Sequence, residues 1–63
     1  MLYSTVTIEP SKTGLYSATI QAGPQTVTLY GYLFASMAKV AAASLSRSAF
    51  GRVPRFVEVR HAS

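Results

Sequence analysis

Gln25-Thr26-Val27-Thr28-Leu29-Tyr30-Gly31-Tyr32, followed by Leu33-Phe34-Ala35-Ser36-Met37-Ala38-Lys39-Val40-Ala41, is the stretch in which this chain changes its period. Up to about Tyr32, apolar residues alternate with threonines and tyrosines, the two-residue repeat of a half-buried strand. From Ser36 the spacing turns helical. On a wheel of about 3.6 residues per turn, Met37, Ala38, Ala41, Leu45 and Ala49 share one arc while Lys39, Ala43 and Ser46 fall opposite. Ser36 is the expected N-cap, because its hydroxyl accepts a bond from an otherwise unpaired N–H of the first turn. Gly51 follows the end of the helix, and Arg47 near that end suits the negative pole of its dipole.

Working outward, Leu2 to Glu9 alternates Leu2, Ser4, Val6 and Ile8 with Tyr3, Thr5, Thr7 and Glu9, which predicts a first strand. Pro10-Ser11-Lys12-Thr13-Gly14 is a hairpin loop by composition. A second strand places Tyr16, Ala18, Ile20 and Ala22 on one face, with Leu15, Ser17, Thr19 and Gln21 on the other. Gly23-Pro24 turns the chain into the third strand. Val53 to Arg60 reads as a last strand, with Pro54 assigning it to a sheet edge and Val57 and Val59 facing inward. The predicted fold is α+β in the order β-β-β-α-β: one domain over residues 1–63, with a small antiparallel sheet and one helix packed on one face. The sheet is a three-strand meander plus a C-terminal edge strand. Its core would bring Leu2, Val6, Ile8, Tyr16, Ile20, Val27 and Leu29 against Met37, Ala41 and Leu45.

A chain of 63 residues buries only about 60% of the surface it exposes when unfolded, so its stability is marginal. There is no cysteine, hence no disulfide to staple it, and a cytoplasmic setting is the default. With 49% hydrophobic but 13% charged residues, apolar surface is expected to be shared with another chain, as a homodimer or with an obligate partner. The start, Met1-Leu2-Tyr3-Ser4-Thr5, lacks the basic and apolar regions of a secretory signal. Lys39 within the apolar run Val27 to Leu45 argues against a membrane span, since a central lysine costs about 2.5–3.5 kcal/mol there.

Two acidic residues, Glu9 and Glu58, and one histidine, His61, are the whole supply of common acid–base groups besides lysine. They form no spaced pair, and His61 lies third from the C-terminus. One histidine with two glutamates is also a poor metal set, so neither catalysis nor a cofactor or metal is expected. Lys12-Thr13 is no phosphate loop, because its glycine follows the lysine and a strand comes next.

Two surfaces remain as candidates for binding. Arg47, Arg52, Arg55 and Arg60 crowd the last 17 residues and give most of the net charge of +4. They are expected to form a patch for phosphates or carboxylates, against the plainer reading that they keep a greasy small domain soluble. The sheet face away from the helix carries Tyr3, Tyr30 and Tyr32 among threonines and is nearly free of charge, the composition of an interface centre. In bare topology, Leu15 to Val57 loosely resembles small sheet-reading DNA-binding domains of the plant and integrase arm-binding types, which read DNA with arginines and aromatic residues on a sheet. The matching face here carries threonines, serine and glutamine, so no family membership follows. The reading favoured by the sequence is a small basic, non-enzymatic binding protein. It would act as an inhibitor or accessory factor, of the kind phages and mobile elements encode, that covers a host protein or nucleoprotein complex. The alternative is direct DNA or RNA binding through the arginine patch.

Overall fold

A computed structural model describes residues 2–58 of the chain. Val59 and Arg60, assigned above to the last strand, and His61, weighed above as an acid–base group, lie outside them. The elements are β1 (Tyr3–Pro10), β2 (Tyr16–Ala22), β3 (Gln25–Tyr32), α1 (Ala35–Ala49) and β4 (Val53–Glu58). They form one four-stranded sheet in the order β3-β2-β1-β4, with α1 across one face. The α+β class and the β-β-β-α-β order are as expected.

One pairing differs from a purely antiparallel sheet. β1, β2 and β3 form the antiparallel meander, but β4 lies parallel to β1. The connection sets this direction. β3 runs the same way as β1, and a helix that carries the chain back across the sheet returns it for a parallel strand. Because α1 starts at β3 and delivers the chain beyond β1, the strand lands on the far edge. β1, which the resemblance to sheet-reading domains leaves out, is an interior strand with partners on both sides.

The turns follow from local chemistry. Gly23-Pro24 is a two-residue loop between the paired residues Ala22 and Gln25, with Gly23 at φ 61°. Glycine first and a fixed-φ proline second suit a type II′ hairpin turn. In the β1–β2 loop the Ser11 N–H donates to the Leu15 carbonyl at 2.7 Å, and the Ser11 and Thr13 hydroxyls lie 2.8 Å apart.

The core is narrow. Val6, Ile8, Ala18 and Ile20 from the sheet meet Ala38 and Ala42 of α1, with Tyr16, Leu29, Tyr32, Ala35, Leu45 and Phe50 around them. The buried stripe of the helix is Ala38, Ala42 and Ser46, so the wheel is rotated from the predicted arc. Met37, expected inside, is 49% exposed, and Ser46, expected opposite the core, is fully buried. Leu2, also expected in the core, is exposed. The small residues win the buried side because they let the helix axis approach the sheet, and the serine has a partner there.

That partner is Ser4. The Ser46 hydroxyl donates to the Arg52 carbonyl at 2.9 Å, which uses its only proton, so in the 2.5 Å contact between the two hydroxyls Ser4 is the donor. Both serines are buried. The Ser46 carbonyl in turn accepts the N–H groups of Phe50 and Arg52, and Gly51 at φ 63° bends the chain to allow the second. One residue thus fastens β1, the end of α1 and the entry to β4.

The start of α1 is not capped as predicted. Phe34 holds the N-cap position in extended conformation with no side-chain bond, and Ser36 lies inside the first turn. The N–H groups of Met37 and Ala38 are satisfied by the Phe34 carbonyl.

Two face assignments are also corrected. Opposite Ala18 and Tyr16 of β2, β3 places Leu29 and Tyr32, so one extra residue is accommodated around Tyr30-Gly31, where Gly31 has φ 84°. The bulge reverses the alternation and turns Tyr32 to the helix side, where it packs on the core, while Tyr30 stays on the outer face. In β4, Phe56 is paired with Val6 and Val57 with Thr7, so Val57 lies on the outer face rather than inward.

Two stability outcomes follow. Ser46→Ala strands the buried Ser4 hydroxyl and the Arg52 carbonyl, and we expect a loss of about 1–3 kcal/mol in urea unfolding. Ser4→Ala, which removes a donor whose acceptor is already engaged, should cost less. Gly31→Ala meets nothing within 4 Å, so its cost is conformational, about 1–2 kcal/mol, read as a lower melting temperature.

Candidate interaction face

With α1 on one side, no element of the described residues covers the other side of the sheet. Strand alternation places Tyr3, Thr5 and Thr7 of β1 there, with Ser17, Thr19 and Gln21 of β2 and Thr26, Thr28 and Tyr30 of β3. Parallel pairing adds Val53, Arg55 and Val57 of β4, opposite Tyr3, Thr5 and Thr7. The face is made of threonines because branched residues suit a pleated sheet and a hydroxyl tolerates water. Thr19 and Thr28, directly paired, have their hydroxyls 3.5 Å apart.

Among the described residues, the one cation on this face sits on an aromatic ring. The Arg55 guanidinium lies 5.6 Å from the centroid of the Tyr3 ring, on the neighbouring strand. Both residues are exposed. Stacking of this kind restrains the arginine while leaving its N–H edge directed to solvent. Glu9, by contrast, lies toward the other end of β1, so the two charges of opposite sign stand apart on the same face.

Arg52 has a different role. Its Nη1 donates to the Tyr3 carbonyl at 3.3 Å, and its Nη2 lies so close to Gly23 that an added Cβ would come within 3.2 Å. Half-buried, it braces the start of β1 against the β2–β3 turn. Arg47 is exposed on the last turn of α1. The structure therefore brings Arg47, Arg52 and Arg55 to one end of the molecule without making them a single patch. Arg47 belongs to the helix layer, Arg52 to the seam, and Arg55 to the opposite face, because β4 alternation sends position 55 away from the helix. Arg60 lies outside the described residues.

A feature not anticipated from the sequence lies on the helix side. Tyr32, Ser36, Met37, Val40 and Ala41 line an open, apolar groove of about 350 Å³ where α1 leaves β3. Leu33 and Phe34 beside it are exposed. The signal was present as apolar residues at 33, 37 and 40, a helical spacing offset from the alanine stripe. Of these three, only Met37 enters the core expected from the helical wheel, on its inward arc.

Among the described residues, no group of three or more metal-ligating side chains gathers, and no helix is long and apolar enough to cross a membrane. Comparison with protein-family models, with curated proteins and with solved structures returns no match for this chain. What fold and face define together is a class: a small α+β protein with a one-sided, charge-poor sheet and an arginine–tyrosine stack on it.

If Arg52 is structural and Arg55 is not, the two alanine variants should separate. Arg52→Ala is expected to lower the urea midpoint by more than Arg55→Ala, whose loss of an exposed stack is worth about 0.5–1 kcal/mol at most.

Proposed function

We propose that this chain is a small basic binding protein without catalytic activity, an inhibitor or accessory factor that covers a surface on a host protein or nucleoprotein complex. Such a chain suits a phage or another mobile element, and it would act in the cytoplasm. The observation that carries the reading is the Arg55–Tyr3 stack on an uncovered, nearly uncharged sheet face. Arginine and tyrosine are the residues that dominate interface energies when surrounded by neutral contacts that exclude water. Threonine and glutamine around them supply such contacts without the desolvation cost of further charges. The partner this face suits presents a carboxylate or phosphate to Arg55 and a flat polar surface to the strands.

A protein or nucleoprotein surface suits the face better than bare nucleic acid. Phosphate binding gains affinity by adding cation contacts, and here Arg52 is engaged with Tyr3 and Arg47 lies on the other layer. Direct DNA or RNA binding is the second reading, favoured by the same stack, since an aromatic ring on a sheet can also receive a base.

Affinity capture from host lysate, with and without nuclease, separates the two. A specific partner should survive nuclease and be lost with Arg55→Glu, an exposed substitution that leaves the fold intact by circular dichroism. Loss on nuclease treatment, with a salt-dependent mobility shift of DNA or RNA by the purified protein, would instead support the second reading. Retention of the partner by both Arg55→Glu and Tyr30→Asp would rule out this face.

A further inference from the structure

The two edges of the sheet are built differently. β4 contains Pro54, which has no N–H to give a neighbour, together with the charged Arg55. These are the devices by which edge strands avoid pairing with other chains. β3, on the other edge, is Gln25-Thr26-Val27-Thr28-Leu29-Tyr30-Gly31-Tyr32, with no proline and no charge. It offers an unguarded row of backbone donors and acceptors up to the bulge near Gly31.

We infer that β3 pairs antiparallel with β3 of a second copy of this chain, forming a two-fold dimer with one continuous sheet. Four observations commit the edge to a copy of itself. The strand is self-complementary, since every in-phase register across a two-fold axis sets uncharged residues opposite one another. Apolar surface continues from that edge onto the helix side: Leu33, Phe34, Met37 and Val40 are 64%, 62%, 49% and 70% exposed. Side chains of this size offer on the order of 100 Å² each at such exposure. Four such side chains in each of two copies, together with the paired β3 edges, then bring roughly 1,000 Å² to bury, about the area a specific interface needs.

Geometry and charge supply the other two. Antiparallel pairing brings the end of one β3 beside the start of the other, so the groove at Tyr32, Met37 and Val40 lies over the partner's Gln25 to Val27. Val27 is only half-buried within one copy. Arg55 stands on the opposite edge, three strand spacings or about 14 Å from β3, so this cation is held away from the join. The guarded β4 edge then stops growth at two copies.

The inference is independent of the proposed binding activity, and its variants differ from those that test it. Sedimentation of the full chain over the micromolar range should show dimers. Met37→Glu plus Val40→Glu, both at exposed positions, should give monomers with unchanged circular dichroism and a dimer dissociation constant at least about tenfold higher. The chain has no cysteine, so single thiols report geometry. A Gln25→Cys variant mixed with a Val40→Cys variant should form the mixed disulfide dimer, whereas Val57→Cys on the guarded edge should not cross-link to itself. A monomer at all concentrations, whether alone or seated on a different protein, would overturn the inference. So would a dimer that resists the double charge substitution, or one that cross-links through position 57 and not between positions 25 and 40.

Discussion

The hydroxyl of Ser46 is the constraint on which the rest of this small structure depends. It accepts from Ser4 in the central strand and donates to the carbonyl of Arg52, while its own carbonyl takes two N–H groups from the chain leaving the helix. A buried hydroxyl this deep is tolerable only because its hydrogen bonds are complete. It belongs to a stripe of small residues, Ala38, Ala42 and Ser46, that sets how close helix and sheet lie. Close approach has a consequence. Alanine buries little area, so the core gains less from the hydrophobic effect than a leucine-lined one, and larger apolar side chains are left outside. Leu33, Phe34, Met37 and Val40 are the surplus.

The parallel return of β4 governs the surface chemistry. Had the last strand run antiparallel, its pairing with β1 would have been reversed. In the parallel register, Arg55 stands opposite Thr5 and reaches the ring of Tyr3. A basic excess that looks like one cluster along the chain is thereby divided among three tasks: an exposed helix end at Arg47, a brace at Arg52, and a stacked cation at Arg55. Only the last stands on the open sheet face.

The two sheet edges and the two sheet faces give the molecule a division of labour. One face is covered by α1 and the other is open; one edge is guarded by proline and charge and the other is not. Joining unguarded edges would place two open faces side by side, with an Arg55–Tyr3 stack toward each end of a single platform. A small chain short of core would gain both stability and binding area from the same contact.

How much of this was legible in the sequence depends on the range of the forces involved. Alternation in β1 and β2, the Gly23-Pro24 turn, the shift to helical spacing and the proline of the edge strand are local signals. They determined the element order and the fold class, and they placed Val6, Ile8 and Ile20 in the core. The rotation of the helix was not local, because a serine is buried only if another chain segment satisfies it, and Ser4 is 42 residues away. Neither was the face of Tyr32, since the bulge near Gly31 reverses the alternation only through pairing with β2. The direction of β4 was decided by where the helix delivers the chain. The residue types of the candidate site, arginines and tyrosines, were therefore evident from the sequence. Which arginine meets which tyrosine was settled by the tertiary structure, because strand register brings together side chains that sequence separation keeps apart.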